Sequence, residues 1–506
     1  MELQIHFFAL LILCIAFFYL FTKHRSSSGN ENLPPQPWKL PLLGHLHHLV
    51  GDLPHRALGN LAQKLGPIFH LKLGEVSAVV ISSPALAKEV LKTHDLCFPS
   101  RPKILGAEII GYNYTGIVFT PYGEYWRQMR KICILELLSD KKVRSFESIR
   151  DEESWSLIES IGIRGKTTSL PPYGSETINI SEKIFSMMNA IAVRVSIGSK
   201  CKDQEKLLAL IEEIISVSGG FDASDVFPSV KVLHLVAGTR KKLTKIHKQI
   251  DKILNRIISD HQQHNATGLS DQNEDLLDVL LRIKDDGGLH FPLTSDNVKA
   301  VLLDMFVAGT DTSSVTIEWA MLELMKNPRV MVKAQAELRH VAKGKKKIHE
   351  SDIQQLDYLK LVIKETLRLH PPAPLLIRQS QEKCDIGGYH IVAGTKVIIN
   401  AWKIGCDADH WSDPESFDPE RFNETSVNLV GTDFEFLPFG AGRRICPGMT
   451  LGLANVELPL ARLLYHFNWE LPSGVQPEDL DTSEKYGATL NLKHNLHLVP
   501  VACNAN

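Results

Sequence analysis

The sequence predicts a mainly α-helical fold with small β-sheets, preceded by one transmembrane helix at the N-terminus. Residues 7–21 are all apolar or aromatic, and much of the remaining chain places apolar residues at helical spacing. Short stretches rich in β-branched residues are fewer. The predicted helices cover 58–65, 85–93, 125–138, 181–197, 207–217, 241–261, 295–325, 328–342, 351–369 and 449–467. The predicted strands cover 68–73, 78–81, 396–400 and 490–499.

The first element is predicted to be a membrane anchor. With residues 5 and 6 included, the apolar run approaches the ~17–25 residues that a spanning helix needs. Lys23, His24 and Arg25 follow directly, whereas a cleaved signal peptide carries its basic residues in front, where this chain has Glu2. Because basic flanks stay on the cytosolic side, we expect a single pass with everything after Lys23 in the cytosol. A cleaved secretory signal is the alternative.

A stiff segment follows the anchor. The sequence Leu-Pro-Pro-Gln-Pro-Trp at 33–38 cannot continue a helix and would hold the body at a set angle to the bilayer. After residue 41 the sequence shows neither a Pro/Ser/Gly-rich linker nor a repeat. We therefore expect an anchor with its basic flank at 1–25, a proline-rich hinge at 26–41 and a single catalytic domain at 42–506.

Composition excludes several classes of protein. The 506 residues include 56 Lys+Arg and 58 Asp+Glu, a balance that argues against nucleic-acid binding. The eight cysteines form no CxxC pair, which favours a reducing compartment over a disulfide framework. The sequence contains neither a GxxxxGK phosphate loop nor a complete GxGxxG fingerprint. Reducing power, if the protein needs it, must come from another protein.

The most informative segment is 436–448. Gly440 and Gly442 allow a tight turn, and Pro447 suits the first turn of a helix, so Cys446 lies at a helix N-terminus. Free N–H groups and the helix dipole favour a thiolate there, and a thiolate is a good ligand for iron. We interpret the other seven cysteines as small apolar side chains.

The pattern FxxGxRxCxG, formed by Phe439, Gly442, Arg444, Cys446 and Gly448, resembles the haem-binding loop of the cytochrome P450 (haem-thiolate) monooxygenases. Further motifs follow the order of that family over nearly the whole chain. The resemblance implies the cytochrome P450 fold, haem b as cofactor, Cys446 as the metal ligand and Phe439 as part of the cofactor loop. The sequences at 304–314 and 420–422 are similar to those of the plant microsomal branch, which acts on specialised metabolites in the endoplasmic reticulum membrane.

A second motif, Ala-Gly-Thr-Asp-Thr at 308–312, interrupts an apolar run. Glycine and hydroxyl residues are poor helix formers, so we expect a locally distorted helix. The resemblance implies that Asp311 and Thr312 are the acid–alcohol pair that delivers protons during oxygen activation. Taken alone, these hydroxyls could equally bond within a buried helix.

The third motif pairs Glu365 with Arg368, three residues apart on one helix face. Such pairs decorate many solvated helices. The resemblance assigns Glu365, Arg368 and Arg421 to a buried charge network that supports the haem loop. Their implied role is structural.

Trp126 and Arg130 are four residues apart and so point the same way on a predicted helix. A half-buried indole covered by an arginine stem is the ordinary interpretation. The resemblance implies that both hold haem propionates, together with Arg378 and Arg444 and, as a further candidate, His370.

The resemblance also implies a substrate pocket that is mostly apolar and carries no charge cluster. Its residues lie in the segment 104–119, around residue 221, above the haem, and in two later loops. They are Phe119, Phe221, Val307, Ala308, Leu375, Leu376, Ala488 and Thr489. An apolar pocket favours a hydrocarbon substrate, so we expect hydroxylation or epoxidation of a sesquiterpene or diterpene. An indole alkaloid or a phenolic compound is the alternative substrate.

The implied reaction uses O2 and electrons from NADPH, delivered by a membrane-bound flavoprotein reductase. Exposed basic residues such as Arg127, Lys131 and Arg443 are candidates for docking its acidic face. Two other classes remain open: a haem-thiolate isomerase or dehydratase, which would work without NADPH, and a non-catalytic haem-binding protein. The acid–alcohol pair argues against both.

The anchor makes a prediction about glycosylation. Asn113, Asn179, Asn265 and Asn423 each begin an Asn-x-Ser/Thr acceptor. In a cytosolic chain all four stay unmodified, so glycosidase treatment of the protein from microsomes should not change its electrophoretic mobility. The same body placed behind a cleavable secretory signal serves as the positive control. A mobility shift of the native chain would overturn the predicted topology.

Overall fold

The computed structural model describes residues 32–162, 176–219, 222–230, 238–266, 274–287, 291–423 and 425–503. The predicted anchor, the first part of the hinge and Phe221 lie outside these residues. The helices are α1 (Pro54–Leu65), α2 (Pro84–Lys88), α3 (Leu105–Ile109), α4 (Glu124–Ile132), α5 (Asp140–Ser145), α6 (Glu147–Gly162), α7 (Ile180–Ile197), α8 (Gln204–Val217), α9 (Ala223–Val226), α10 (Thr239–Ala266), α11 (Leu276–Asp286), α12 (Ser295–Lys326), α13 (Pro328–Val341), α14 (Asp357–Leu369), α15 (Ala401–Gly405) and α16 (Met449–His466).

The strands are short. They are β1 (Ile68–Leu73), β2 (Val76–Ile81), β3 (Ile178–Asn179), β4 (Leu375–Gln379), β5 (Cys384–Ile386), β6 (Tyr389–Ile391), β7 (Lys396–Asn400), β8 (Phe467–Glu470), β9 (Glu484–Tyr486), β10 (Leu490–Leu492) and β11 (His497–Ala502). The largest sheet among the described residues has the order β1-β2-β7-β4, in which only β2 and β7 run parallel. The mainly helical class with small sheets is therefore confirmed.

Helix α12 is the centre of the fold. The Thr294 hydroxyl oxygen accepts a hydrogen bond from the Asn297 N–H, and the Asn297 side-chain oxygen accepts one from the Thr294 N–H. These two bonds form a capping box at the first turn of the helix. The helix packs against α7, α14 and α16. It is also the one described helix that is long and apolar enough to cross a membrane, but 67% of its most apolar window is buried inside the protein. It is therefore a core helix.

The sheet separates two apolar clusters by the alternation of side chains along β4. Leu375 packs with Leu58, Val80 and Ile398, whereas Leu376 packs on the opposite cluster. Residues two apart in a strand share a face. Leu376 therefore shares its face with Arg378, while Leu375 is buried behind the sheet.

Most predicted elements are present, and the differences have physical causes. The predicted helix at 351–369 divides at Leu356 into a 3-10 turn at Glu350–Gln355 and helix α14. Helix α6 was not predicted, because its buried face includes Arg150, Glu153 and Ser154 and therefore shows no apolar stripe. Helix α12 is continuous through Gly309, so the second motif does not interrupt the helix. A Cβ atom at Gly309 would lie 3.4 Å from the Ala192 Cβ, so glycine permits close packing against α7.

A buried charge network joins α14 to the segment 405–423. Arg368 binds Glu365 through both nitrogens of its fork, at 2.8 and 2.7 Å, and Arg421 Nε donates to the same carboxylate at 2.9 Å. The remaining Arg368 donor is satisfied by the carbonyl oxygens of Gly405 and Pro414. Glu365 and Arg368 are fully enclosed. Such a network positions its segments because each charge depends on its partners.

The network reaches the cysteine turn through aromatic side chains. The Arg368 guanidinium lies 5.3 Å from the Trp411 ring centroid. Trp411, Phe422 and Phe436 pack at centroid distances of 5.3 to 6.3 Å. Phe436 begins the segment 436–448, so these rings connect the charge network to the residues that precede Cys446.

We expect Glu365→Gln to destabilise the fold by about 3–5 kcal/mol, because it leaves two buried guanidinium groups without their counter-charge. Thermal unfolding of the purified protein followed by circular dichroism measures the change. Glu415→Gln, at an exposed position on the same segment, is the matched control and should be neutral. Equal unfolding midpoints for the two variants would contradict the structural role of the network.

Candidate active site

The turn that carries Cys446 is shaped by two glycines and packs against a neighbouring helical turn. Gly440 and Gly442 have φ values of 69° and 68°, which glycine adopts without steric cost. A Cβ atom at Gly442 would overlap the Leu91 carbonyl oxygen. The Cys446 N–H donates to the Phe439 carbonyl oxygen at 2.9 Å. The turn therefore holds the sulfur in a defined position just before α16.

The Cys446 side chain is both accessible and desolvated, which we interpret as a position on the wall of an internal cavity. It is accessible, yet burial raises the pKa of its thiol, an effect opposed by the Gly448 N–H and by the charges of Arg130 and Arg101. A side chain that is both accessible and desolvated faces an enclosed space. A cation at the sulfur would reverse the balance and favour the thiolate.

Four arginines lie close together beside this sulfur. Burial lowers the pKa of Arg378 far below its usual value, and the charges of Arg101, Arg444 and Arg130 lower it further. Burial together with repulsion from Arg101 and Arg130 lowers the pKa of Arg444 to about 9. Charges of one sign are costly to bury without a counter-charge. The cluster is therefore suited to an anionic ligand.

The unused donors of this cluster point to the same ligand class. Arg444 donates to the carbonyl oxygens of Pro99 and Thr120 at 2.7 and 2.6 Å, and its guanidinium lies 4.0 Å from the Trp126 ring centroid. The third Arg444 nitrogen, Nη1, and Arg101 Nε are buried and have no hydrogen-bond partner among the described residues. Guanidinium donors left over in this way match carboxylate oxygens.

One face of α12 lines the cavity. Asp304, Ala308 and Thr312 are spaced four residues apart and therefore share a face. Ala308 is exposed although most of α12 is buried, so this face borders an internal space. The charge of Asp304 acts on Arg101, and the charge of Arg101 acts on Cys446. The helix face, the arginine cluster and the sulfur therefore lie near one another.

The acid and the alcohol of the second motif have different partners. The Thr312 hydroxyl donates to the Ala308 carbonyl oxygen at 2.8 Å, on the cavity face. Asp311 is buried, and its Oδ2 accepts a hydrogen bond from the Thr489 hydroxyl at 2.6 Å. Burial raises the pKa of Asp311 to about 7, although bonds from Thr489 and Asn491 lower it. Both protonation states of this carboxyl are therefore populated near neutral pH.

Comparisons with known proteins agree with this geometry. The family model described as Cytochrome P450 matches residues 34–499. The chain belongs to the cytochrome P450 family. It is 52% identical to premnaspirodiene oxygenase of Hyoscyamus muticus (97% of this chain, 98% of the relative) and 52% identical to germacrene A hydroxylase of Barnadesia spinosa (97% and 96%). It is also 52% identical to desmethyl-deoxy-podophyllotoxin synthase of Sinopodophyllum hexandrum (96% and 95%).

The fold agrees with solved structures of this family. A zebra fish cytochrome P450 crystallised with abiraterone has a TM-score of 0.74 at 24% identity, over 89% of this chain and 99% of that one. The family model and the plant relatives show that the protein is a plant-type cytochrome P450 monooxygenase, and membership of the family implies a haem iron.

The residues of this cytochrome P450 fit haem b. Cys446 would supply a soft sulfur ligand to the iron. The donors of Arg101, Arg130, Arg378 and Arg444 would hold the two propionates, because the guanidinium fork matches a carboxylate. When bound, the haem supplies the oxygen-activating chemistry.

Arg101 belongs to the arginine cluster beside Cys446, and the sequence prediction missed it. The only local signal is a lone arginine in the otherwise uncharged Phe-Pro-Ser-Arg-Pro at 98–102. Two predicted propionate ligands have other partners in the structure: the Trp126 indole N–H donates to the Ile117 carbonyl oxygen at 3.2 Å, and His370 lies 2.9 Å from Glu323. Trp126 still borders the cluster through its ring, whereas His370 does not.

The predicted pocket residues divide into two groups. Ala308 and Ala488 are exposed, and Phe119, Val307 and Leu376 are half-buried. These positions are compatible with contact to a substrate. Leu375 and Thr489 are buried, the first behind the sheet and the second against Asp311. Their side chains take part in packing and hydrogen bonding, and their place in the pocket stays a prediction.

We expect Cys446→Ser to abolish the red-shifted band of the reduced carbonyl complex, because a neutral hydroxyl cannot replace the thiolate donor. Absorption difference spectra of reconstituted membranes measure it. Cys97→Ser is the control: the Cys97 thiol bonds Glu382, a contact that serine can keep, and the band should be unchanged. A normal band in the Cys446 variant would remove the ligand assignment.

Proposed function

We propose that the protein is a membrane-anchored cytochrome P450 that hydroxylates or epoxidises a sesquiterpene, using O2 and electrons from NADPH. The observation that carries the proposal is the 52% identity, over nearly full length, to enzymes named for premnaspirodiene and germacrene A, which are sesquiterpene hydrocarbons. The apolar character of Phe119, Val307, Ala308, Leu376 and Ala488 supports a hydrocarbon substrate.

Asp311 and Thr312 would supply protons during turnover. Thr312 lies on the cavity face, where its hydroxyl can rotate away from the Ala308 carbonyl to donate to a bound ligand. Asp311 is adjacent in sequence and has a pKa of about 7, which suits a group that both gains and loses a proton near neutral pH. Thr489 and Asn491 hold the carboxyl in place through the bonds described above.

The membrane arrangement is part of the proposal. Residues 1–25 would cross the endoplasmic reticulum membrane once, residues 26–41 would form the hinge, and residues 42–506 would form one cytosolic catalytic domain. A membrane-bound flavoprotein reductase would donate the electrons. The exposure of Arg127, Lys131 and Arg443 supports docking of its acidic face there, although Arg127 and Arg443 also pair with Glu124 and Asp95.

A second substrate class has its own support. The relative named desmethyl-deoxy-podophyllotoxin synthase is equally identical to this chain, and its name refers to a phenolic lignan. An aromatic substrate is therefore the alternative. Because both classes are hydrophobic, the apolar pocket does not separate them.

The proposal is tested by supplying substrates to microsomes that contain the protein and a reductase. The panel contains sesquiterpene and diterpene olefins, an indole alkaloid and a phenolic lignan, and products are identified by mass spectrometry. We expect an NADPH-dependent product, one oxygen atom heavier, from a sesquiterpene. An oxygenated product from another member alone would replace the substrate class. Rearrangement of a hydroperoxide without NADPH would favour an isomerase, and a lack of any product would favour a haem-binding protein.

Thr312→Ala is expected to divert electrons from product to peroxide, because the cavity face loses its hydroxyl donor. Product per NADPH should fall by on the order of 10²-fold, a typical contribution of a general acid, while NADPH oxidation continues. Thr316→Ala is the matched control, since Thr316 also bonds the carbonyl four residues earlier but is buried. Unchanged coupling in the Thr312 variant would exclude its proton role.

A further inference from the structure

Asp304 holds the pocket-lining segment 104–119 on α12. Its Oδ2 accepts the backbone N–H of Ile117 at 2.6 Å and that of Val118 at 3.1 Å. These partners are 187 and 186 positions away in the sequence. A carboxylate that accepts two adjacent backbone donors forms strong, charge-assisted bonds that fix the segment in place.

Gly116, in the pocket-lining segment, packs tightly against the Asp304 carboxylate. Gly116 precedes the two donors, and the three atoms nearest to a Cβ built on it all belong to the Asp304 carboxyl group. The φ angle of Gly116 is not in the left-handed region, so the backbone conformation alone does not require glycine. Glycine is therefore required at this position because the Asp304 carboxylate lies against it.

Residues 117–120 contact Asp304 on α12, Trp126 on α4 and Arg444 in the cysteine turn. The Ile117 carbonyl oxygen accepts the Trp126 indole N–H, and the Thr120 carbonyl oxygen accepts a bond from Arg444 beside the cysteine turn. Asp304 itself lies on the cavity face of α12, one turn before Ala308. Any movement of Ile117 would therefore change the pocket wall above the cofactor.

The segment needs such anchoring because its backbone is unusual. Tyr112, Asn113 and Tyr114 have consecutive left-handed φ values of 49°, 58° and 62°. Non-glycine residues keep such conformations only where the surrounding structure imposes them. The Tyr112 hydroxyl is held by Asp251 at 2.9 Å. The outer part of the segment thus depends on Tyr112, and the inner part on Asp304.

We propose that Asp304 is a positioning residue that sets where the substrate is oxidised, by fixing residues 117–119 against α12 through the two N–H bonds. Asp304 does not touch the reacting atoms. It determines the shape of the wall against which a hydrocarbon substrate, which lacks polar groups to orient it, must pack.

The first test measures the segment itself and needs no substrate. Hydrogen–deuterium exchange of the haem-loaded protein should show exchange of the Ile117 and Val118 amides on the order of tenfold faster in Asp304→Ala, because both N–H groups lose their acceptor. The change should be confined to 104–120. Asp304→Asn keeps a carbonyl oxygen and should restore most of the protection. Asp357→Ala, which removes an exposed acid on α14 that pairs with Lys360, is the matched control. Unchanged exchange at 117–118 in Asp304→Ala would overturn the proposal.

The second test separates a direct contact from general damage. Gly116→Ala should displace the segment by pushing against the carboxylate. In the Asp304→Ala background, the same substitution should add almost nothing, since the atoms that it would strike are gone. Full additivity of the two effects on amide exchange would overturn the proposal. If the Asp304→Ala protein does not fold, the Gly116→Ala and Asp304→Asn variants test the proposal instead. The measurement is again amide exchange at Ile117 and Val118.

The third test measures the pocket. The ratio of spectral affinities for imidazole and 4-phenylimidazole reports the shape of the wall without turnover and should change severalfold in Asp304→Ala, with a normal carbonyl band. The distribution of oxidation products should also change, and Asp304→Asn should restore it. Only the product measurement rests on the proposed function: if no terpene is converted, that function fails while exchange and azole binding still test Asp304. Unchanged azole and product ratios would overturn the role in specificity.

Discussion

The structure depends on burying a group of positive charges beside a single sulfur atom. Arg101, Arg130, Arg378 and Arg444 repel one another in a desolvated environment, and a bound cofactor with two carboxylates and a metal ion would satisfy both the arginines and the thiol. Without that compensation, burial works against the charged forms of all these groups. Cofactor binding and stability of the site should therefore be strongly coupled in this protein.

The surrounding fold keeps these groups in register. The Glu365–Arg368–Arg421 network and the aromatic contacts of Trp411, Phe422 and Phe436 support the cysteine turn from one side. Helix α12 forms the opposite wall, with its charged and hydroxyl residues on the cavity face. The chemistry at the metal would belong to the cofactor, whereas the chain would contribute the ligand, the proton donors and the shape of the substrate pocket.

We expect the residues that select the substrate to differ from the residues that support the chemistry. The cysteine turn and the acid–alcohol pair would serve many substrates, and the names of two relatives of equal identity refer to different compounds. We expect the segment 104–119 to form much of the pocket wall, and contacts such as those of Asp304 and Tyr112 hold this segment in place. Small changes in these contacts could redirect oxidation without affecting the cofactor site.

The sequence by itself determined the features that are local in the chain. Helical periodicity predicted α7, α12 and α16, and the glycines and proline around Cys446 predicted its tight turn before α16, because both depend on residues within a few turns of one another. Tertiary structure alone decided that Arg101 joins the arginine cluster, that the Trp126 N–H binds Ile117, and that Asp311 pairs with Thr489. These contacts depend on which distant segments pack together and on the direction of each side chain within that packing. Spacing within one helix or strand carries no information about either.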